Sequence, residues 1–273
     1  MRMAVTPIVH KFTNSLHKQV YSGQLQVGGP GWHFKKATKA TERLRTEISD
    51  RTTNESFSSL LKTDIASFYP SVSADLTAQV AHQVDTSGKH IIHLQHFFAY
   101  WKEQGLAGLP IGPEVSLLLA NGALRTLDGY VIATGHSFAR YTDDVYVLNL
   151  APGDTGVFLQ DFDQALKELG LNRNLSKTAF TVDRSEAMEW VNDSALASAA
   201  SALRTDQVWG EVVTAAIFDQ EIESEAPNPR RISYSLKVAE PDISLKFVQN
   251  YVTRVAGQPK RGRRVGVASK VRG

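Results

Sequence analysis

Phe138-Ala139-Arg140-Tyr141-Thr142-Asp143-Asp144-Val145-Tyr146-Val147-Leu148-Asn149-Leu150 places two apolar, aromatic-rich segments, 138–141 and 145–150, either side of three polar residues. Strand-forming runs split by so short a polar insert predict a β-hairpin with Asp143 and Asp144 at its tip. Adjacent carboxylates repel, and their pKa values rise unless a cation stands beside them. Magnesium favours carboxylate and phosphate oxygens and would remove that cost. Taken alone, the pair is explained as simply by a solvated turn, where Asp is common.

The residues around the hairpin supply possible partners. Residues 57–65 predict a strand that ends in Asp64, followed by Ile65-Ala66-Ser67-Phe68-Tyr69-Pro70. Two metal ions roughly 3.5–4 Å apart need carboxylates from at least two strands, which Asp64 with Asp143 and Asp144 would supply. Residues 108–121, Gly-Leu-Pro-Ile-Gly-Pro-Glu-Val-Ser-Leu-Leu-Leu-Ala-Asn, read as a stiff loop feeding a helix, with Pro113 suited to its first turn. Glycines there allow another backbone or a nucleotide to approach closely. Residues 169–178 read as a helix stop, a turn and a strand start that present Lys177.

The remaining segments alternate between helix and strand signals. Residues 5–22 read as helical and 28–31 as a breaker. Residues 41–49 partly alternate and suggest a strand. Ser73 is suited to cap a helix carrying Leu76, Val80 and Val84, and a second helix follows with Ile91, Leu94, Phe98 and Trp101 on its apolar face. Asp154 opens a helix with Phe158, Phe162, Ala165, Leu166 and Leu169 on one face, closed by Gly170. Residues 178–182 predict a strand, 184–204 an Ala-rich helix, 232–238 an extended segment and 243–255 a helix. His90, His93 and His96 recur at a spacing of three, which drifts around a helix and makes a poor metal triad.

Composition narrows the function classes. The chain has 273 residues, 42% of them hydrophobic, and no cysteine. A chain of this size buries roughly 75% of its unfolded surface. Disulfides, cysteine-ligated metals and thiol nucleophiles are excluded. The N-terminal apolar stretch is too short for a signal-peptide core, and no run reaches the ~20 apolar residues of a membrane span. A cytoplasmic protein without membrane partners is expected. The net charge of +2 conceals basic ends, +6 in residues 1–51 and +6 in 258–273, around a middle of −10. That pattern suits a polyanion at the ends and metal ions between them.

The four segments together resemble the reverse transcriptase family, the right-hand-shaped RNA-directed DNA polymerases. Residues 62–72 resemble the family's first catalytic segment and 108–121 its template-gripping segment. Tyr141-Thr142-Asp143-Asp144 matches the Tyr-x-Asp-Asp box, and 169–178 resembles the segment that follows it. The resemblance covers residues 55–185. It implies an α+β fold with right-hand polymerase fingers and palm, an antiparallel palm sheet and a reduced or atypical thumb-like helical C-terminal region. The implied divisions are a basic fingers-like region (1–56), a palm with interleaved helices (57–184), a thumb-like region (185–257) and a disordered basic tail (258–273).

By resemblance, Asp64, Asp143 and Asp144, with the Ile65 position, bind two Mg2+ ions, and Mn2+ can substitute. Tyr69 falls at the steric gate that disfavours a ribose 2′-hydroxyl, with Phe68 beside it. Gly112, Pro113 and Ser116 face the templating base and the incoming nucleotide. Lys177 matches a lysine that assists pyrophosphate departure. Among the basic residues of the fingers, Arg43 and Arg45 are the expected triphosphate or template contacts, since alternation would put both on one strand face. The implied partners are dNTPs, an RNA template and a DNA or other primer, with a partner protein or non-coding RNA as a further candidate. Ile111, where many members carry Gln, is more similar to the bacterial defence-associated and abortive-infection members. Template-independent or protein-primed synthesis at the same site is one alternative, and a catalytically silent nucleic-acid-binding palm is another. Tyr69, and Tyr-Thr-Asp-Asp in place of Gly-Asp-Asp, argue against an RNA-directed RNA polymerase.

Overall fold

In the computed structural model, α1 (Val9–Asn14) buries Val9 and Phe12. The helix expected across residues 5–22 stops at Asn14, and residues 5–8 lie outside the described residues, which are 9–26, 33–54, 56–86, 91–224 and 228–238. The chain leaves the helix because its backbone finds other partners. Arg140 N–H donates to Gln19 O (2.9 Å), Tyr21 N–H donates to Arg140 O (2.8 Å), and Val20 bridges Arg140.

The strand expected at residues 41–49 is instead part of α2 (Ala37–Thr53). Ala40, Leu44, Ile48 and Thr52 are its buried residues, and a repeat of four is a helical stripe. Local alternation at Arg43-Leu44-Arg45 is an accident of that stripe.

β1 (Leu60–Thr63) is shorter than the strand read from 57–65, and Asp64 lies one residue beyond it. Then come the short α3 (Phe68–Ser71) and α4 (Ala74–Val84), capped as expected by Ser73, whose Oγ accepts from Leu76 N–H (3.1 Å). α5 (Ile91–Glu103) buries Leu94 and Phe98, α6 (Glu114–Ala123) is buried along much of its length, and α7 (Arg125–Ala133) follows directly. β2 (Ser137–Tyr141) and β3 (Asp144–Leu148) form the expected hairpin. α8 (Thr155–Glu168) buries Phe158, Phe162 and Leu166 at four-residue spacing, and β4 (Ala179–Thr181) and α9 (Arg184–Asn192) follow it.

The four strands form one antiparallel sheet of order β2-β3-β1-β4. With its many helices it gives an α+β fold. Leu61, Val145, Val147 and Phe138 join one apolar cluster with residues of α1, α4, α5, α6, α7 and α8. Leu60, Ala139, Tyr146 and Leu148 join a second with Leu44 and Ile48 of α2 and Ala187 and Val191 of α9. Both faces of the sheet are therefore covered.

The chain divides into two compact units, residues 1–191 and 192–273. In the second, α10 (Ser194–Thr205), α11 (Gln207–Glu223) and α12 (Pro229–Val238) are helical. The helix read across 184–204 breaks at Asp193 (φ +48°), whose carboxylate accepts from Leu196 N–H and from Arg231 Nε. Residues 232–238 are helical rather than extended. Pro229 opens α12, a position where its missing N–H costs nothing, and Ser235 donates to Thr214 O (3.2 Å). The expectations for residues 243–255 and 258–273 fall outside the described residues. Among the described residues, no helix is long and apolar enough to cross a membrane.

Gly108 ties the loop before α6 to the segment after Asp64. It sits at φ +66°, and a Cβ there would overlap the carbonyl oxygens of Tyr69 and Pro70. Leu109 N–H donates to Tyr69 O (2.8 Å) at the same contact. Gly108→Ala is expected to lower unfolding free energy by roughly 2–4 kcal/mol, from left-handed backbone strain plus overpacking. Denaturant titration checks this; an unchanged midpoint would mean the contact yields freely.

Candidate active site

The ladder pairs Thr63 with Val145 and Tyr141 with Asp144. Continued one residue, it sets Asp64 across from Asp144. Alternation along the strands puts both on the sheet face that carries Lys62 and Tyr146. Asp143, with Thr142, makes the hairpin turn, so the tip carries one of the two adjacent carboxylates and the ladder carries the other. Thr142 adopts φ +55°, a left-handed conformation that costs a β-branched residue roughly 1–2 kcal/mol.

Asp64 is 4% exposed, and both of its carboxylate oxygens are engaged. Oδ1 accepts from Asn174 Nδ2 (2.9 Å) and Oδ2 from Lys177 Nζ (3.0 Å). The Asp64 carbonyl also accepts from Asn174 N–H (2.8 Å). Asn174 therefore orients Asp64 with both its backbone and its side chain. Lys177 is largely exposed, and its hydrogen bond to Asp64 raises its pKa.

Burial pushes the Asp143 carboxyl up to about 6, and the charges of Asp144 and Asp64 push the same way. Burial also raises Asp144, against the pull of Lys62. The three carboxylates thus act on one another electrostatically, with an excess of negative charge. Among the described residues, no group of three His, Cys, Asp or Glu side chains is arranged to hold a metal ion. Magnesium typically takes one or two carboxylates and completes its shell with water and substrate phosphates. The donor set fits such an ion: oxygen ligands only, with three carboxylates set against two lysines, Lys177 and Lys62.

The other expected site residues divide by position. Phe68 is buried and its ring lies 5.6 Å from that of Tyr69. The Tyr69 hydroxyl is pushed up to about 12 by burial, then by Asp143 and Tyr141, which puts it within electrostatic reach of the carboxylates. Ile65 is buried and bridges Arg173, so only its backbone carbonyl could serve a metal. Gly112 and Pro113 are exposed before α6, beside Ile111, which is 78% exposed. Ser116 is wholly buried, and its Oγ has no hydrogen-bond partner among the described residues.

Arg43 and Arg45 do not share a face, because residues two apart on a helix diverge by about 200°. Arg43 donates to Gln24 Oε1 (2.7 Å), lies 5.8 Å from the Tyr21 ring centre, and lines a hollow of about 480 Å³ with Tyr21, Lys39, Glu42 and Glu47. Arg45 acts on Tyr146, whose hydroxyl is raised by burial and by Asp144 and lowered by Arg45. The structure thus brings Asp64, Asp143, Asp144, Tyr69 and Lys177 together and separates Arg43 from Arg45.

Sequence reasoning missed a buried network beneath the hairpin turn. Arg140 is fully buried and grips Asp128 with two bonds, Nε to Oδ1 (2.7 Å) and Nη2 to Oδ2 (2.6 Å). Its Nη1 donates to Asn121 Oδ1 and to Thr142 O, both at 2.8 Å. A lone Arg inside an apolar strand is the signal in the sequence; its side-chain partners lie in α6 and α7, beyond any local pattern.

The family model for reverse transcriptase (RNA-dependent DNA polymerase) matches residues 2–210. No curated protein matches the chain.

Proposed function

Since this chain belongs to the reverse transcriptase family of RNA-dependent DNA polymerases, we propose that it extends a primer with dNTPs on an RNA template at Asp64, Asp143 and Asp144. The observation that carries this reading is the convergence of three carboxylates at the adjoining ends of β1 and the β2–β3 hairpin, Asp64 buried and Asp143 and Asp144 half-buried, with Asp143 pushed up to about 6. Asp64, Asp143 and Asp144 would hold Mg2+ ions. Bound there, two such ions would activate the primer 3′-hydroxyl and neutralise the triphosphate and its leaving group. The 3′-hydroxyl gives up its proton to water, its oxygen attacks the α-phosphorus, the bond to the β-phosphate bridging oxygen breaks, and pyrophosphate leaves.

The chain's own residues prepare that step. Asn174 fixes the Asp64 carboxylate. Lys177, hydrogen-bonded to Asp64, would be the cation that meets the departing pyrophosphate. The Tyr69 backbone is tied to the loop before α6 at the Gly108 contact, and its ring packs against Phe68, so in this reading the ring is a wall beside the carboxylates. In the same reading the sheet is the palm, the preceding basic region the fingers and α10–α12 a reduced thumb. Mn2+ support, a partner protein or RNA, a cytoplasmic setting and a role in bacterial defence stay with this proposal.

Primer extension with labelled dNTPs tests it. Magnesium-dependent extension that a chelator stops is expected; extension that survives chelation would contradict the assignment. Tyr69→Ala should admit ribonucleotides, shrinking dNTP-over-rNTP discrimination ~10–100-fold through loss of a steric clash. Discrimination unchanged from wild type would remove Tyr69 from the gate.

A further inference from the structure

We infer that Arg140 is a positioning residue, which with Ser22 and Asn121 locks the Thr142 turn and thereby aims Asp143. The inference rests on the assignment of Asp143 to the polymerase site.

Thr142 is held on both sides of its strained conformation. Its N–H donates to Ser22 Oγ (2.9 Å), and its carbonyl accepts from Arg140 Nη1 (2.8 Å). Asn121 Oδ1 joins the two supports, accepting from Ser22 Oγ (2.9 Å) and from Arg140 Nη1 (2.8 Å). Asn121 is itself fixed by donating Nδ2 to Leu117 O (3.0 Å) in its own helix. The guanidinium cannot swing away, because Asp128 takes its other edge and the Arg140 backbone is bonded to Gln19 and Tyr21.

The network gathers residues 22, 121, 128 and 140 from separate elements onto the backbone of Thr142, gripping the peptide units on both sides of its Cα, immediately before Asp143. Arg140 is 0% exposed and does not reach substrate. A buried ion pair is a poor way to stabilise a core, because apolar residues of similar volume often do as well or better. Four directed bonds on a planar fork make it a good way to hold a geometry.

The test uses two gentle routes to the same loss. Ser22→Ala removes one support of the turn. The double variant Arg140→Met with Asp128→Leu replaces the ion pair by apolar volume without leaving a lone buried charge. Each is compared with wild type and Asp143→Asn by melting temperature, single-turnover dNTP incorporation and Mn2+ titration followed by electron paramagnetic resonance. The expected result in Ser22→Ala is a folded protein whose incorporation rate and Mn2+ affinity fall about 10–100-fold, as for loss of groups that orient metal ligands. Its KM for dNTP should stay within about threefold, since substrate contacts are untouched. The double variant, where it folds, should behave alike. Wild-type rate and Mn2+ affinity in folded Ser22→Ala would overturn the inference, as would losses that merely track unfolding. If wild type incorporates nothing under the assay conditions, Mn2+ affinity alone decides in the same two directions. Wild-type incorporation by Asp143→Asn would instead overturn the assignment of Asp143.

Discussion

Asp143→Asn is expected to abolish incorporation while leaving the fold as stable as wild type or more so. The two effects have one cause. Burial and the charges of Asp144 and Asp64 raise the Asp143 carboxyl to about 6, so its ionised form is disfavoured in the folded chain. A raised carboxylate pKa means that stability falls as pH rises from the usual carboxylate range through about 6. Asn removes the charge, keeps the shape and ends that cost. It also removes a ligand from a site whose transition-state stabilisation is worth several kcal/mol, so the rate should drop by about 10³-fold or more. Melting curves at neutral pH and steady-state incorporation check both halves. A variant that loses activity and stability together would mean that Asp143 serves the fold.

Asp128→Ala is expected to have the largest effect on stability. It leaves the Arg140 guanidinium charged, fully buried and without its anion. Removing one partner of a buried pair typically costs about 3–5 kcal/mol, a large share of the 5–15 kcal/mol that holds a domain folded. At 2–4 °C per kcal/mol for a unit of this size, the melting temperature should fall by roughly 6–20 °C. Asp128→Asn, which retains hydrogen-bonding atoms, should fall between. A loss below about 1 kcal/mol would mean that Asn121 and the Thr142 carbonyl suffice to hold the charge.

The legible parts of the sequence were those where burial writes a local pattern. Residues 138–150 read as a hairpin because both segments are apolar around a three-residue insert, and the antiparallel ladder follows. α8 reads as a helix because Phe158, Phe162 and Leu166 repeat at four. α2 misleads because only one narrow stripe is buried and the rest is polar, so Arg43-Leu44-Arg45 mimics alternation. Residues 232–238 carry strand-like side chains, but Pro229 and the surroundings of Ser235 favour a helix.

The candidate site was legible to the same degree. Asp64, Asp143 and Asp144 mark strand ends and a turn, so local reading finds them. Asn174 lay inside a recognised segment, but nothing local shows that its amide meets Asp64. Arg140 depends on Ser22, Asn121 and Asp128, between 12 and 118 residues away in the chain, and only the folded topology joins them.

The most direct test of the central claim is the length and sequence of the DNA made by the purified chain from dNTPs and Mg2+ on a primed RNA of known sequence, with the RNA omitted in parallel. A magnesium-dependent product that copies the RNA and stops at its end, absent without it, is the expected result. A product of the same length and composition without the RNA would contradict templated synthesis, and so would no product from a chain that binds the primed RNA.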